Sequence, residues 1–166
     1  VGNSQGRSGK SLIGQATDKV VSQVYIDAKD PDLERNKHIF DEVDEETSII
    51  FFDDLRENVD PDWFFNKVTG KIVVNKKHQA IKSLSGDTRP KLYGTSNHSF
   101  RKASKSLLKR MFNMAFSNWY DGDHNPESDF GHNFFQDWDD DQWSLFYNFM
   151  FNCVRMHLQH GLIECP

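Results

Sequence analysis

The sequence predicts an α/β fold in which a parallel sheet is flanked by helices, with a helical tail at the C-terminus. Three observations carry this reading. Strand-like and helix-like stretches alternate through the first two thirds of the chain, the order that βαβ units produce. Ser48-Ile49-Ile50-Phe51-Phe52-Asp53-Asp54 holds an unbroken apolar run, as expected of a parallel strand buried on both faces. Near the C-terminus, Leu145, Phe146, Phe149, Met150, Cys153, Val154 and Leu158 repeat at helical spacing.

Taken in order, Leu12, Ile13, Ala16, Val20 and Val21 fit a helix from Lys10 to about Val21, and Val24-Tyr25-Ile26 reads as a short strand. Asp27 to Asn36 is polar, contains Pro31 and is expected to be loop, while His38-Ile39-Phe40 is expected to be a second short strand. After the Ser48–Asp54 strand, Asp60-Pro61-Asp62 supplies a cap, a proline at the first helical position and an acid in the first turn. The helix that follows runs through Trp63, Phe64, Phe65 and Val68 to Gly70, its aromatics assigned to the core. Lys71-Ile72-Val73-Val74 and Lys91-Leu92-Tyr93-Gly94-Thr95-Ser96 are expected strands, Lys105 to Arg110 a helix and Met111 to Phe116 a further strand. Asp121 to Asn133 reads as loop. Asp139 and Gln142 have capping-box spacing, Trp138 and Trp143 hydrophobic-staple spacing, and Gly161 the place of a helix stop. The apolar repeat on this last helix is expected to be buried.

With 166 residues, 14 of them Phe, the chain is long enough to bury a core and too aromatic to be disordered. No stretch is apolar enough to span a membrane. Cys153 and Cys165 are too few for a disulfide framework and point to a reducing, cytoplasmic compartment. Between Lys67 and Arg110 stand twelve Lys and Arg residues against Asp87 alone, although the whole chain carries a net charge of −5. One basic segment in an acidic chain suggests a polyanion contact.

The chemistry is concentrated at three places. Gly6-Arg7-Ser8-Gly9-Lys10-Ser11 has the form of a phosphate-binding loop that opens a helix, its backbone N–H groups converging on phosphates at a positive helix end. Lys10 reaches the outer phosphates and the Ser11 hydroxyl holds Mg²⁺. Ser4 stands where the full pattern has its first glycine, and Ser4, Gln5 and Leu12 complete the predicted nucleotide contacts. Only Val1-Gly2-Asn3 precede the loop, so the expected first strand is absent and the chain is read as a fragment beginning at the nucleotide site. Asp53-Asp54 ends the apolar strand 42 residues after Ser11, where one carboxylate can hold Mg²⁺ through water and the other can orient or deprotonate a water. Asn97, after the Lys91–Ser96 strand, can position water or sense a γ-phosphate without adding charge.

A glycine loop, an apolar strand ending in Asp-Asp, a basic hairpin and a strand ending in Thr-Ser-Asn, in that order, resemble the superfamily 3 helicases of the AAA+ class. These occur in viruses, phages, plasmids and the primase-helicases of mobile elements. The resemblance covers Gly2 to Arg110, and the aromatic tail from Phe130 looks like the C-terminal part of bacterial relatives. It implies a P-loop ATPase core over residues 1–118, with a helical extension over residues 119–166 packed on it. It further implies ATP and Mg²⁺ as ligands, Asp53 on the metal, Asp54 as the catalytic acid of the pair and Asn97 as sensor. Lys76, Lys77 and His78 match the family's DNA-gripping hairpin, and Arg110, with Arg101 as runner-up, its arginine reaching a neighbouring subunit. The implied activity is ATP-driven movement of a homo-oligomeric ring, a hexamer, along single-stranded or forked DNA, with a fused or associated primase. A switch or loader ATPase and a catalytically inactive DNA-binding or assembly module are the rival readings.

Two metal readings are weaker. Cys153, His157, His160 and Cys165 have zinc-like spacing, but Cys153 falls on the apolar stripe, where packing explains it. Asp121, Asp123, His124, Glu127, Asp129 and His132 follow no known ligand spacing, and Asp139-Asp140-Asp141 is explained by the positive end of the last helix.

Overall fold

The computed structural model describes residues 9–98, 103–117, 119–120 and 124–163. Two compact units are present, one holding Lys10–Asn113 and the other Met114–Pro166.

In the first unit, helix α1 (Lys10–Asp18) precedes strand β1 (Gln23–Asp27), and strand β2 (Ile49–Leu55) forms the centre of a three-stranded parallel sheet in the order β1-β2-β5. Strand β5 spans Lys91–Ser96. The registers set Tyr25 and Tyr93 on either side of Phe51, and Val24 and Leu92 on either side of Ile50. The apolar run of β2 is buried on both faces, as its composition requires. Ile50 and Phe52 join a core with Leu33, Phe40, Val43, Val59 and Phe64, where Phe64 comes from helix α2 (Pro61–Thr69). Phe51 points the other way, stacking on Tyr93 at 5.1 Å and meeting α1. The antiparallel hairpin of β3 (Ile72–Val74) and β4 (Lys82–Leu84) adds Ile72, Val74 and Leu84 to the core. A short helix α3 (Lys105–Leu108), capped by Ser104, buries Leu107.

The start of α2 follows its sequence signals closely. The Asp60 side chain accepts from the Asp62 N–H, Pro61 occupies the first turn, and the Gly70 N–H closes on the Asn66 carbonyl. Helix α1 ends earlier than its periodicity suggests, at Asp18. Thr17 turns its hydroxyl back to the Gly14 carbonyl and to Gln23, and Val20 and Val21 are left exposed. His38-Ile39-Phe40 is turn rather than strand. The Asn36 side chain takes the His38 N–H, and carbonyls of His38 and Phe40 take the N–H groups of Asp41 and Val43, so local bonds replace a ladder. Phe40 is nevertheless in the core.

Gly14 is the point where α1 meets the sheet. A Cβ there would lie 2.5 Å from the Phe51 ring, which Tyr25 and Tyr93 hold on both sides. Gly14→Ala is expected to lower the free energy of unfolding by about 1–3 kcal/mol, the usual cost of overpacking, despite the better helix propensity of alanine. A urea titration reads this directly, and an unchanged or raised midpoint would contradict the packing described.

Met111 to Phe116, which runs from the end of the first unit into the second, has no regular structure, against the expected strand. The polar stretch before the last helix holds one short helix, α4 (Pro126–Phe130). Asn125 and Ser128 cap it reciprocally and Gly131 ends it at φ 73°. Helix α5 (Asp140–His160) begins at the predicted capping box of Asp139 and Gln142 and ends at Gly161, whose N–H reaches the His157 carbonyl. Trp138 and Trp143 meet at 5.2 Å across the cap, the predicted staple, and Phe135 and Phe146 close the ring cluster. The apolar stripe of α5 is not buried: Leu145, Phe149, Val154 and Leu158 are exposed, and so is Cys153. No helix among the described residues is long and apolar enough to cross a membrane.

Candidate nucleotide site

Ligands of open parallel sheets gather at the C-terminal ends of the strands, and the predicted chemistry lies at that edge. Regular pleating would send consecutive side chains to opposite faces. At Asp53-Asp54 the register with β5 shifts between Phe52 and Leu55, and Asp54 takes a φ of 58°. At this bulge the two carboxylates take separate partners side by side, Asp53 those from Ser11, Thr95 and Tyr25 and Asp54 those from Asn97 and Lys29.

The bulge is pinned by Thr95. Its buried hydroxyl accepts from the Asp54 N–H at 2.8 Å and donates to Asp53 Oδ1 at 2.7 Å. Ser96 Oγ donates to the Leu55 carbonyl just beyond, and the Ala28 N–H bonds the Asp53 carbonyl from the β1 side. At the start of α1, Ser11 Oγ donates to Asp53 Oδ1 at 2.8 Å and Lys10 Nζ donates to Asn97 Oδ1 at 2.7 Å. The other side of the Asn97 amide donates to Asp54 Oδ1 at 3.0 Å. Lys10, Asn97 and Asp54 thus form one chain of bonds, and Ser11, Asp53 and Thr95 a second beside it.

Two further groups complete the cluster. Tyr25 donates its hydroxyl to Asp53 Oδ2 at 3.2 Å, and Lys29 Nζ stands 2.9 Å from Asp54 Oδ2. Burial pushes the Tyr25 phenol above its ordinary range, and the Asp53 charge and hydrogen bond add to this. Tyr93 is raised in the same direction, by burial and then by Asp53. The hydrogen bond to Asp54, and its charge, raise the Lys29 ammonium.

Of the residues that the sequence singled out, Lys10, Ser11, Asp53, Asp54 and Asn97 come together. Gly9 precedes α1 with φ 79°, and Leu12 is half-buried one residue past Ser11. Ser4, Gln5, Gly6, Arg7, Ser8 and the alternative arginine Arg101 lie outside the described residues. Arg110 is not part of the cluster: its Nη1 donates to the Ser106 carbonyl, and its guanidinium lies over Phe65 at 5.5 Å. Lys76, Lys77 and His78 occupy the β3–β4 loop, with Lys77 and His78 exposed and His78 at φ 60°. Cys165, Asp121 and Asp123 of the weaker metal readings lie outside the described residues, and His124 pairs with Asp129 at 2.9 Å. Among the described residues no group of three or more His, Cys, Asp and Glu is placed to hold a metal ion.

Thr95, Tyr25 and Lys29 were not singled out from the sequence as site residues. Thr95 had a signal, since it stands in the Thr95-Ser96-Asn97 stretch at the strand end. Tyr25 and Lys29 had none, because their relevance depends on β1 lying next to β2. Thr95→Val keeps the shape and removes both bonds that hold the bulge. It is expected to lower stability by about 1–3 kcal/mol, the penalty for unpaired buried groups, which a denaturant titration measures. Stability equal to that of the parent chain would contradict the pinning role.

Compared with protein families, with curated proteins and with solved structures, the chain matches none.

Proposed function

We propose that this chain is a P-loop-type ATPase that couples hydrolysis to movement along DNA, in the manner of the superfamily 3 helicases. The observation that carries the reading is the convergence of Lys10, Ser11, Asp53, Asp54 and Asn97, drawn from three separate stretches of sequence, at one sheet edge. A lysine, a hydroxyl, two carboxylates and a neutral amide are the parts that phosphoryl transfer to water needs.

The donor set fits Mg²⁺. Ser11 Oγ and Asp53 Oδ1 are hard oxygens 2.8 Å apart, and Mg²⁺ at nucleotide sites takes only one or two protein ligands beside phosphates and water. When bound, the ion neutralises phosphate charge and polarises the transferred group. Lys10 exchanges Asn97 for the outer phosphates. Asp54 orients the attacking water and accepts its proton as the water oxygen bonds to the γ-phosphorus and the bond to the β-phosphate oxygen breaks, releasing ADP and phosphate. Before that exchange Asn97 ties the lysine to the carboxylate, and after it the amide still donates to Asp54 and orients it. Arg110, which contacts Ser106 and Phe65 rather than this cluster, would reach a neighbouring subunit of a ring and stabilise charge in the transition state there.

The Lys76-Lys77-His78 loop, exposed at Lys77 and His78, lies within the basic segment and supplies the DNA contact. Such a contact is dominated by phosphates, so affinity falls with salt and shows little sequence preference. The test is phosphate release from ATP, measured with Mg²⁺ and with or without single-stranded DNA. Turnover is expected to require Mg²⁺ and to rise with DNA. Changing Lys76 and Lys77 to alanine should remove the DNA stimulation while leaving basal turnover, and reduce the salt slope of DNA binding by about 1.4. Absence of Mg²⁺-dependent turnover would overturn the ATPase reading. DNA-stimulated turnover that survives the double change would overturn the role of the loop.

A further inference from the structure

Lys29 lies at the far end of the bond chain that starts from Lys10. Lys10 Nζ donates to Asn97 Oδ1, the Asn97 amide donates to Asp54 Oδ1, and Asp54 Oδ2 pairs with Lys29 Nζ at 2.9 Å, so an ammonium closes each end. The backbone fixes where the Lys29 side chain starts. Strand β1 pairs with β2 as far as Asp27 beside Asp53, and the buried Ala28 extends the pairing by donating its N–H to the Asp53 carbonyl at 2.9 Å. The Lys29 N–H then bonds Asp27 Oδ1 at 3.0 Å, an Asx turn that ends the strand. Lys29 is thereby rooted at the C-terminal end of β1, one strand away from Asp54, while its side chain stays 68% exposed.

The charges at this edge give the pairing a use. Three carboxylates, those of Asp27, Asp53 and Asp54, stand with two ammonium groups, those of Lys10 and Lys29. A nucleoside triphosphate keeps net negative charge even with one Mg²⁺ bound. In the reaction proposed for this site Asp54 orients the water that attacks the γ-phosphorus, which sets this carboxylate against the terminal phosphate. Like charges so placed repel unless a cation stands with them, and Lys29 is the cation already paired with Asp54. A diphosphate has no group at that position, so the same lysine matters little to it. We propose that Lys29 sets a preference for nucleoside triphosphates over diphosphates, its ammonium offsetting the Asp54 charge where the γ-phosphate binds. This role rests on the nucleotide site and on the part given to Asp54 there.

Calorimetric titration with Mg²⁺ and either ADP or a non-hydrolysable ATP analogue tests it. Lys29→Met removes the charge from an exposed side chain and leaves the core untouched. It is expected to weaken the triphosphate analogue about three- to tenfold and ADP less than about twofold, the order of effect of one nearby charge at a solvated site. Lys29→Arg should keep the parental ratio of the two affinities, and Lys19→Met, at an exposed lysine just past α1, should change neither. Equal loss for both nucleotides, or a parental ratio in Lys29→Met, overturns the role of Lys29 while the nucleotide site stands. Faster ATP hydrolysis by Lys29→Met at unchanged affinity overturns it too, by showing that the lysine restrains Asp54 instead. A parent chain that binds neither nucleotide with Mg²⁺ overturns the site itself, and this role with it.

Discussion

Lys10→Ala is expected to reduce steady-state ATP turnover by about 10²–10³-fold, the loss typical of removing one preorganised group that meets developing charge. The ammonium sits 2.7 Å from Asn97 Oδ1, at the head of the bond chain that leads to Asp54. Its removal therefore takes away both the charge for the outer phosphates and the tether on the amide. Global stability should change little by comparison, because Lys10 is only half-buried at the first residue of α1. Turnover measured beside a thermal unfolding curve separates the two effects. A folded Lys10→Ala protein with parental turnover would show that the activity resides elsewhere.

Asp54→Asn should lower turnover by about 10²–10⁴-fold, the contribution of a positioned general base, while nucleotide affinity stays within a few-fold. Asparagine suits this test for a structural reason. Asp54 has a φ of 58°, and asparagine is one of the few residues that visit this region readily. The amide oxygen can still accept from Asn97, so the substitution removes the proton acceptor and the pairing with Lys29 without dismantling the bulge. Pre-steady-state and equilibrium measurements on the same variant divide chemistry from binding. Loss of binding with unchanged chemistry would reverse the roles assigned to Asp54 and Asp53.

The parts of the fold legible in the sequence were those specified by local signals. The apolar run of β2, the Asp60-Pro61-Asp62 start of α2 and the capping box of α5 each act within a few residues, and each element formed where expected. The parts that were not legible depend on tertiary partners. His38-Ile39-Phe40 has strand composition, but local side-chain and turn bonds took its backbone. The stripe on α5 has the spacing of a buried face, yet periodicity reports only that residues share a face, not that anything covers it. The candidate site divides in the same way. Lys10, Ser11 and the two aspartates stand in recognisable local patterns, whereas Tyr25 and Lys29 enter through the β1–β2 pairing alone. No pattern in the sequence announces the bulge at Asp53-Asp54, which is why two adjacent carboxylates can serve one site.

Calorimetric titration of the chain with a non-hydrolysable ATP analogue, with and without Mg²⁺, tests the shared role of Lys10 and Asp53 most directly. The parent chain should bind one equivalent in a Mg²⁺-dependent manner, with Lys10→Ala and Asp53→Asn each weakening it more than about tenfold, or about 1.4 kcal/mol. Equal affinity in all three proteins, or affinity indifferent to Mg²⁺, would contradict it.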